Sequence, residues 1–409
     1  MMKIFINLPT WLGDSVMASA ALRLIFSHFE RLSQIKTSKI QGKNADKVKQ
    51  HARKTEQKAT PAQFKNAVKI GQSATLAQKQ INATNIKSNG THNPQENAPD
   101  NNPAQSLKFV LYGSFVACEL FKAYENVEIC VQTPKKKGFL GALTRFSDFR
   151  KLARSWGEFD YAFSFRSAFS ARLMLFLLHA KHKFIFNKTQ NKDAHQVLKY
   201  LAFTQNALQI KATSDELFLP TAAFKDLRAS EQRVLLGKFG ISADKKLLGI
   251  NAGAKYGLAK CWEREYFAQV GLEFSPTHEI LIFGVSSEQE ICGDIEAWLA
   301  KNGVKAHNLC AKTSIQELCG LISALDLFIS NDSGAMHIAA AYKTPTIAVF
   351  GPTRFTQTSP WRNENARLVH LNLPCMPCMK RICPLKHHAC MKELKPALVI
   401  NAAKTLVAR

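Results

Sequence analysis

The sequence predicts an α/β protein in which two doubly wound domains face each other across a cleft. Its 409 residues exceed the size of one ordinary domain. Short apolar runs alternate with helical patterns in two successive series, and several of the runs end in turns that contain glycine. We therefore expect a first domain over residues 1–225, a second over 226–395, and a last helix over 396–409 that packs back on the first domain.

The first series opens with the apolar run Lys3 to Leu8, a Pro/Gly turn, and a helical pattern through Val16, Ala20, Leu24 and Phe29. This order predicts a strand, a loop and a helix. Further strand-like runs lie at residues 107–112, 127–132, 161–165 and 183–186. Because helical or basic segments separate them, the strands should pair in parallel and be covered on both faces.

The second series repeats the pattern after a polar segment near residues 220–230. Its predicted strands are 246–251, 279–285, 327–330 and 345–350, and its predicted helices include 264–274 and 315–325. Doubly wound sheets bind ligands at the carboxyl ends of their strands. The cleft between the two domains is therefore the predicted site.

Residues 36–105 interrupt the first series and differ from it in composition. Asn, Gln, Lys, Ala and Thr dominate, large apolar residues are scarce, and 12 Lys or Arg against 4 Asp or Glu give a charge of +8. Such a segment buries too little apolar surface to offset its loss of conformational entropy. We predict a disordered or loosely helical insertion whose charge does not belong to the folded core.

The net charge of the chain is +24, from 55 Lys and Arg against 31 Asp and Glu. This charge attracts nucleic acid, anionic membranes and phosphorylated substrates alike. The longest apolar run, Leu173 to Leu178, is too short to span a membrane, and the first residues turn polar too soon for a signal peptide. We expect a cytoplasmic protein that rests on a membrane surface, with its ten cysteines reduced.

A glycine-containing loop, Asn251 to Trp262, follows the first strand of the second series. Gly253 and Gly257 let the backbone approach a phosphate closely, and Lys260 supplies an ammonium group for it. The spacing matches neither the P-loop nor the dinucleotide fingerprint. A plain turn with a solvated lysine is an equally good interpretation of this loop taken alone.

A second strand-to-helix turn contains Asp332, Ser333 and Gly334, with His337 one helical turn further on. Asp332 or Ser333 is expected to cap the helix, whose free N–H groups and positive dipole end favour a diphosphate. Simple capping and a satisfied interior histidine are the alternatives. Two such turns in the same half of the chain favour a site for a nucleotide diphosphate.

The first domain has a similar corner at Trp11, Gly13 and Asp14. Gly13 permits a tight turn, and Asp14 is expected to project its carboxylate from the helix start into the cleft. An inverting glycosyl transfer requires one base that takes the proton of the attacking hydroxyl. An ordinary N-cap is the alternative for Asp14.

Together these segments resemble the ADP-heptose:lipopolysaccharide heptosyltransferases. The segments WLGDSVMASAAL, GAKYGLAKCW and NDSGAMHIAAAYKTPTIAVFGPT are similar to signatures of that family. The tail CPLKHHACMKEL, from Cys383 to Leu394, and the Lys260 loop resemble heptosyltransferase II more than heptosyltransferase I. The resemblance extends over nearly the whole chain except residues 36–105, which depart from the usual length of the family.

The resemblance implies two Rossmann-like domains of the GT-B glycosyltransferase type, an ADP-L-glycero-D-manno-heptose donor, inversion at the anomeric carbon and no metal. The implied acceptor is the first heptose of the anionic Kdo-lipid A core, at the cytoplasmic face of the inner membrane. Asp14 is implied as the catalytic base, and Lys260 as the cation that neutralises the departing diphosphate. The other implied contacts are Gly253, Ala254, Asp332, Ser333, Gly334 and His337 for ADP, and Trp11, Gly13 and Arg166 for the acceptor.

A cluster of zinc-type side chains lies near the end of the chain. It comprises Cys375, Cys378, Cys383, Cys390, His387 and His388. Thiolates and imidazoles suit zinc, but the spacing is not that of a standard finger or ribbon. We favour a packed loop before the last helix and expect no metal.

A basic stretch runs from Lys135 to Arg154, with Phe139, Phe146 and Phe149 among its cations. It is either a solvated helix face or a contact for an anionic membrane or acceptor. A basic nucleic-acid-binding protein is the rival function from another class, but no recognisable RNA or DNA motif supports it. We therefore predict no specific nucleic-acid partner.

Overall fold

The structure is a computed structural model that describes residues 1–56, 107–124, 126–132, 138–242, 244–254 and 257–408. The chain forms two compact units, Met1–Ser27 with Lys108–Arg409, and His28–Leu107. The first unit contains almost all of two parallel sheets. We call each sheet, together with the helices that cover it, a lobe, and number the lobes first and second along the chain. The predicted α/β class is confirmed.

The sheet of the first lobe has five parallel strands in the order β3-β2-β1-β4-β5. The strands are β1 (Met2–Asn7), β2 (Leu107–Gly113), β3 (Val127–Val131), β4 (Phe159–Ser164) and β5 (Ala180–Ile185). All five were predicted, with their ends shifted by at most three residues. The chain reverses its direction across the sheet between β1 and β4, where Ile4 pairs with Tyr161.

Helices cover both faces of this sheet. They are α1 (Leu12–Glu56), α2 (Phe115–Leu120), α3 (Gly138–Trp156), α4 (Phe169–Leu177) and α5 (Gln196–Leu208). On one face, the Phe5 ring of β1 lies 5.6 Å from the ring of Trp156 in α3 and 5.6 Å from that of Phe159 in β4. Phe149 is also in this core, 1% exposed, so this aromatic residue of the basic stretch packs inward.

Helix α1 begins where the sequence predicts it but runs on to Glu56, well inside the predicted insertion. The loosely helical interpretation of residues 36–105 thus fits its first part. The rest of the insertion lies outside the described residues, as do Lys135 to Lys137 of the basic stretch.

The sheet of the second lobe has six parallel strands in the order β11-β10-β9-β6-β7-β8. The strands are β6 (Lys246–Asn251), β7 (His278–Ile282), β8 (Ala306–Asn308), β9 (Leu327–Asn331), β10 (Thr346–Val349) and β11 (Ala366–Val369). The edge strands β8 and β11 were not predicted, because they are three and four residues long and mostly half-buried. The chain reverses between β6 and β9, where Asn251 pairs with Ser330.

The helices of the second lobe are α6 (Ala229–Lys238), α7 (Arg264–Phe274), α8 (Gln289–Lys301), α9 (Ile315–Ala324), α10 (Gly334–Tyr342), α11 (Phe355–Thr358), α12 (Ala389–Lys392) and α13 (Pro396–Val407). The last of them packs on α7, β10 and β11. Its buried face, Val399 and Ala403, belongs to the same core as Phe267 and Val270 of α7. We expected this helix to pack on the first domain. It packs on the second sheet instead, because its apolar face finds apolar partners there.

No helix in the described ranges is long and apolar enough to cross a membrane. All ten cysteines are free thiols, as the sequence predicted.

Candidate functional site

The predicted site residues gather where each sheet reverses its strand order. Asp14 follows β1 and Arg166 follows β4 in the first lobe, while Gly253 follows β6 and Asp332 follows β9 in the second. A crevice opens at such a reversal because the flanking connections leave to opposite faces. The two crevices bring short turns and helix starts, not strands, to the site.

The starts of α1 and α10 meet directly. A Cβ atom built on Gly13 would lie 2.8 Å from Cδ2 of His337, and one on Gly334 would lie 2.9 Å from Cβ of Leu12. Both glycines are therefore needed for close approach of the two helices, rather than for a tight turn. The sequence predicted both residues as site residues but not that they touch across the lobes.

Lys260 and Asp332 form an ion pair inside the second lobe. Lys260 Nζ lies 2.6 Å from Oδ2 of Asp332, and the two side chains are 12% and 5% exposed. Thr353 donates its hydroxyl to the same carboxylate oxygen at 2.7 Å. Asp332 is thus the partner that orients Lys260, and Ser333 is the N-cap of α10, since its Oγ accepts from Met336 N.

Two asparagines at the ends of β6 and β9 join the loops that follow these strands. Asn331 Nδ2 donates to Ala252 O at 2.6 Å, and its Oδ1 accepts from Trp262 N at 3.1 Å. Asn251 Nδ2 donates to Gly253 O at 3.2 Å. These bonds fix the loop that carries Lys260 to the turn that carries Asp332.

The carboxylate of Asp14 is half-buried at the start of α1. Tyr200 of α5 donates its hydroxyl to Asp14 Oδ1 at 3.5 Å. Burial raises the pKa of Asp14, while the Tyr200 hydrogen bond and the charges of Lys188 and Lys260 act to lower it. Because Gly13, the residue before Asp14, lies against Gly334 and His337, this carboxylate stands beside the start of α10.

His337 is buried behind these groups and 3% exposed. Burial lowers its pKa to about 4, so the imidazole is neutral at physiological pH. Its Nδ1 is buried without a hydrogen-bond partner among the described residues. An unpaired buried nitrogen is unfavourable, and a role of His337 toward ADP stays a prediction.

The loop before Lys260 is enclosed by a carboxylate and a basic segment that the sequence did not reveal. The Glu288 carboxylate occupies the space above Gly253, where a built Cβ would lie 2.0 Å from its Cδ. Arg381 covers Gly257, which has a φ of 152° and would bring a Cβ within 2.6 Å of Arg381 O. Ala254 lies between them and accepts from Gly257 N at 3.2 Å.

Two predicted acceptor residues lie at the same edge of the first sheet. Arg166 donates from Nη1 to Gln132 Oε1 at 3.2 Å, and so reaches across the ends of the strands from β4 to β3. Trp11 is 46% exposed immediately before α1. Their role toward an acceptor stays a prediction.

The cysteine-rich segment packs against the loop that carries Lys260. Ala259 N donates to Arg381 O at 3.1 Å, and a ring nitrogen of His388 lies 3.0 Å from Ala259 O. Within the described ranges no group of three His, Cys, Asp or Glu side chains is arranged to hold a metal ion. The expectation of a packed loop fits these contacts.

Sequence reasoning missed Tyr200, Lys188, Thr353 and Glu288. Tyr200, Lys188 and Glu288 lie far along the chain from the residues they act on, so no spacing indicated them. Thr353, in contrast, is the last residue of the quoted segment that contains Asp332, but nothing in the sequence indicated its bond to that carboxylate. For Tyr200, the separation from Asp14 is 186 residues. A buried tyrosine in an apolar helix gives no sequence signal of its partner.

A protein-family model described as glycosyltransferase family 9 (heptosyltransferase) matches residues 163–389. A lipooligosaccharide heptosyltransferase 2 of Campylobacter jejuni is 41% identical over 407 residues, which cover 99% of this chain and 98% of that protein. That alignment therefore includes the insertion. A lipopolysaccharide heptosyltransferase 2 of Salmonella typhimurium is 25% identical and covers 63% of this chain and 79% of its own length.

Two solved structures share the fold. The ADP-heptose lipopolysaccharide heptosyltransferase II of Escherichia coli has a TM-score of 0.63 at 17% identity, with 100% of this chain and 99% of that chain covered. A family 9 glycosyltransferase of Veillonella parvula has a TM-score of 0.64 at 14% identity, with coverage of 100% and 97%.

Proposed function

Because this chain belongs to glycosyltransferase family 9, the heptosyltransferases, we propose that it moves L-glycero-D-manno-heptose from ADP-heptose to the first heptose of Kdo-lipid A. It is a transferase of heptose in the assembly of the lipopolysaccharide or lipooligosaccharide core. Relatives named heptosyltransferase 2 match over its full length, so the heptosyltransferase I alternative is not favoured. We propose ADP-L-glycero-D-manno-heptose as the donor and the first heptose of Kdo-lipid A as the acceptor.

The observation that carries the proposal is the convergence of a carboxylate and a cation from opposite lobes. Asp14 lies in the first turn of α1, where Gly13 touches the start of α10, and the Lys260–Asp332 pair lies just before that start. Transfer with inversion needs a base on one side of the anomeric carbon and charge stabilisation on the other. The two lobes supply one group each.

In the proposed reaction, an acceptor hydroxyl oxygen attacks the anomeric carbon and the bond from that carbon to the diphosphate oxygen breaks. Asp14 takes the hydroxyl proton, and the bonding electrons leave with ADP. Burial, which raises the pKa of Asp14, makes this carboxylate a stronger base than an exposed one. Tyr200 holds its Oδ1 and leaves the other oxygen for the acceptor.

The diphosphate is proposed to sit at the start of α10, against Ser333 and Gly334. Free backbone N–H groups and the positive end of the helix dipole stabilise negative charge there. Lys260, held by Asp332, adds an ammonium group as the charge on the leaving oxygen grows. These groups replace the role that a metal ion would have, so we propose a metal-independent enzyme.

One carboxylate, that of Glu288, and one imidazole, that of His337, extend the proposed donor pocket. Glu288 lies above Gly253, where its carboxylate can accept hydrogen bonds from sugar hydroxyls of the nucleotide. His337 offers an unpaired Nδ1. Gly253 and Ala254 contribute backbone, not side chains.

The proposed acceptor is anionic and carried by a lipid, so we also propose a peripheral position on the cytoplasmic face of the inner membrane. Arg166, Trp11 and Gly13 are the proposed acceptor contacts in the first lobe. A nucleic-acid-binding function is not favoured, because Phe149 of the basic stretch is buried and cannot stack on bases.

The test is incubation of the full chain with ADP-heptose and Kdo-lipid A that carries one heptose, followed by mass measurement. Addition of one heptose is the expected result. The same acceptor without its heptose is the control. Transfer to the control alone would show heptosyltransferase I activity, and transfer to neither would contradict the proposal.

A further inference from the structure

Helix α4 turns an apolar face toward solvent. Phe169 and Phe176 are 80% and 77% exposed, and Leu173 between them is half-buried. A spacing of seven residues puts both rings on the same side of the helix. On the opposite side, Met174 and Leu175 are buried in the core of the first lobe.

Single exposed apolar residues are ordinary on a protein surface, but an apolar stripe marks an interaction site. Leu173 and Phe176 of this stripe belong to the longest apolar run of the sequence, Leu173 to Leu178, and no step of heptose transfer uses the stripe. Its two rings are the most exposed phenylalanines in the described part of the chain. Something other than the core must account for them.

Cations accompany this face. Arg172 lies between the two phenylalanines and is exposed, and Lys183 of β5 donates from Nζ to Phe176 O at 3.3 Å. Helix α4 contains no Asp or Glu. Two cations, Arg172 and Lys183, therefore accompany the Phe176 side of the helix, and α4 itself carries no carboxylate.

The elements next to α4 add to this positive charge. The packed helix α3 exposes Arg150, Lys151 and Arg154 together with a single carboxylate, that of Asp148. The carboxylates nearest along the chain, Glu158 and Asp160, are engaged by Lys181 at 4.0 and 2.8 Å. The surroundings of the stripe are thus cationic.

We infer that the α4 face, formed by Phe169, Arg172, Leu173, Phe176 and Lys183, docks on an anionic lipid bilayer. Aromatic and aliphatic side chains flanked by Arg and Lys match the boundary between acyl chains and anionic headgroups. A protein partner would need acidic groups opposite every one of these cations, whereas a bilayer supplies both the apolar layer and the charge.

The position of α4 connects the docking surface to the site. The helix begins three residues after Arg166, at the edge of the sheet where β1 ends and where α1, which carries Asp14, begins. A bilayer against α4 therefore lies beside the acceptor side of the first lobe. The inference rests on the proposed function only in that the acceptor is carried by a lipid.

The test measures partition of the full chain onto vesicles by flotation, with vesicles of phosphatidylcholine alone and with added phosphatidylglycerol. The Phe169→Ser/Phe176→Ser variant is compared with Phe115→Ser, which changes a 61% exposed phenylalanine of α2. Salt at about 0.5 M screens the attraction of the basic insertion and leaves the apolar contribution. Circular dichroism of each variant checks that it is folded.

We expect the double variant to lose about tenfold in partition for each ring that no longer enters the bilayer, at both salt concentrations. Phe115→Ser should bind as the unchanged protein does. Arg172→Gln/Lys183→Gln should bind severalfold more weakly at low salt and equally at about 0.5 M salt, because only its electrostatic attraction is lost.

Equal vesicle binding by the double variant and the unchanged protein would overturn the inference. So would a dimer of the unchanged protein, measured by light scattering, that the double variant abolishes, since the face would then bind a second copy. Transfer to a soluble, delipidated acceptor should be the same in all variants. Because vesicle binding needs no turnover, failure of the proposed function would leave this result readable.

Discussion

At the scale of single residues, the site depends on what burial does to ionisable groups. Burial raises the pKa of Asp14, while Tyr200 and two lysines act to lower it. Lys260 is held by its ion pair with Asp332, and burial lowers the pKa of His337 to about 4, which leaves the imidazole neutral at physiological pH. The surroundings of these groups are therefore set before any substrate binds.

Asp14→Asn should reduce heptose transfer by a factor of about 100 to 10,000, the usual contribution of a general base. The affinity for ADP, measured by calorimetry, should remain unchanged because the carboxylate acts on the acceptor. Asp193→Asn, at an exposed carboxylate, is the control. Substantial turnover by Asp14→Asn would remove Asp14 from the role of base.

Tyr200→Phe should move the acid limb of the pH–rate profile to higher pH. The hydroxyl of Tyr200 lowers the pKa of Asp14, so its loss raises that pKa further, and the base is deprotonated only at higher pH. At high pH the rate should return toward that of the unchanged protein. Tyr342→Phe, which removes a buried hydroxyl bonded to Thr221 O, should leave the profile in place.

Lys260→Ala should slow transfer by roughly 100-fold and also destabilise the protein by about 3 kcal/mol, since it leaves the buried Asp332 carboxylate unpaired. Adding Asp332→Asn should restore stability in urea unfolding but not activity. EDTA should not affect the unchanged protein. Loss of activity in EDTA would instead show that a metal takes part.

At the scale of elements, the starts of α1 and α10 hold the two lobes together at the site. In each start, a glycine packs against a side chain of the other helix. The contact works because neither Gly13 nor Gly334 has a Cβ atom. The same absence of a side chain is unfavourable for helix formation. In both helices, a glycine that weakens the local helix allows the two helix starts to come close together.

Gly13→Ala should destabilise the protein by about 1–3 kcal/mol, because the added methyl group meets the buried ring of His337. Transfer should fall as well, since α1 carries Asp14. Gly293→Ala in α8, where a Cβ meets nothing within 4 Å, should instead stabilise by about 0.5–1 kcal/mol. Urea unfolding of both variants measures the difference, and equal stabilities would argue against the helix contact.

At the scale of the whole molecule, both sheets belong to one compact unit and His28–Leu107 forms another. The separation agrees with a sequence segment rich in polar residues. The Campylobacter relative aligns over this segment, so it is shared with at least one other heptosyltransferase. Its +8 charge is a third of the net charge of the chain.

Replacing residues 36–105 with a short Gly/Ser linker should leave a folded protein that transfers heptose to a soluble, delipidated acceptor. Loop length affects stability only logarithmically. Association with anionic vesicles should weaken and become less sensitive to salt, since +8 of charge is lost. An unfolded or inactive product, judged by circular dichroism and product mass, would show that α1 beyond residue 35 is structural.

The sequence by itself determined the α/β class, nine of the eleven strands and the two turns that carry Asp14 and Asp332, because periodicity and glycine placement are local properties. Only the tertiary structure decided which residues meet. It paired Lys260 with Asp332, set His337 against Gly13, brought Tyr200 to Asp14 and placed α13 on the second sheet. These contacts join segments far apart in the chain, and burial, which sets their pKa values, exists only once the lobes are folded.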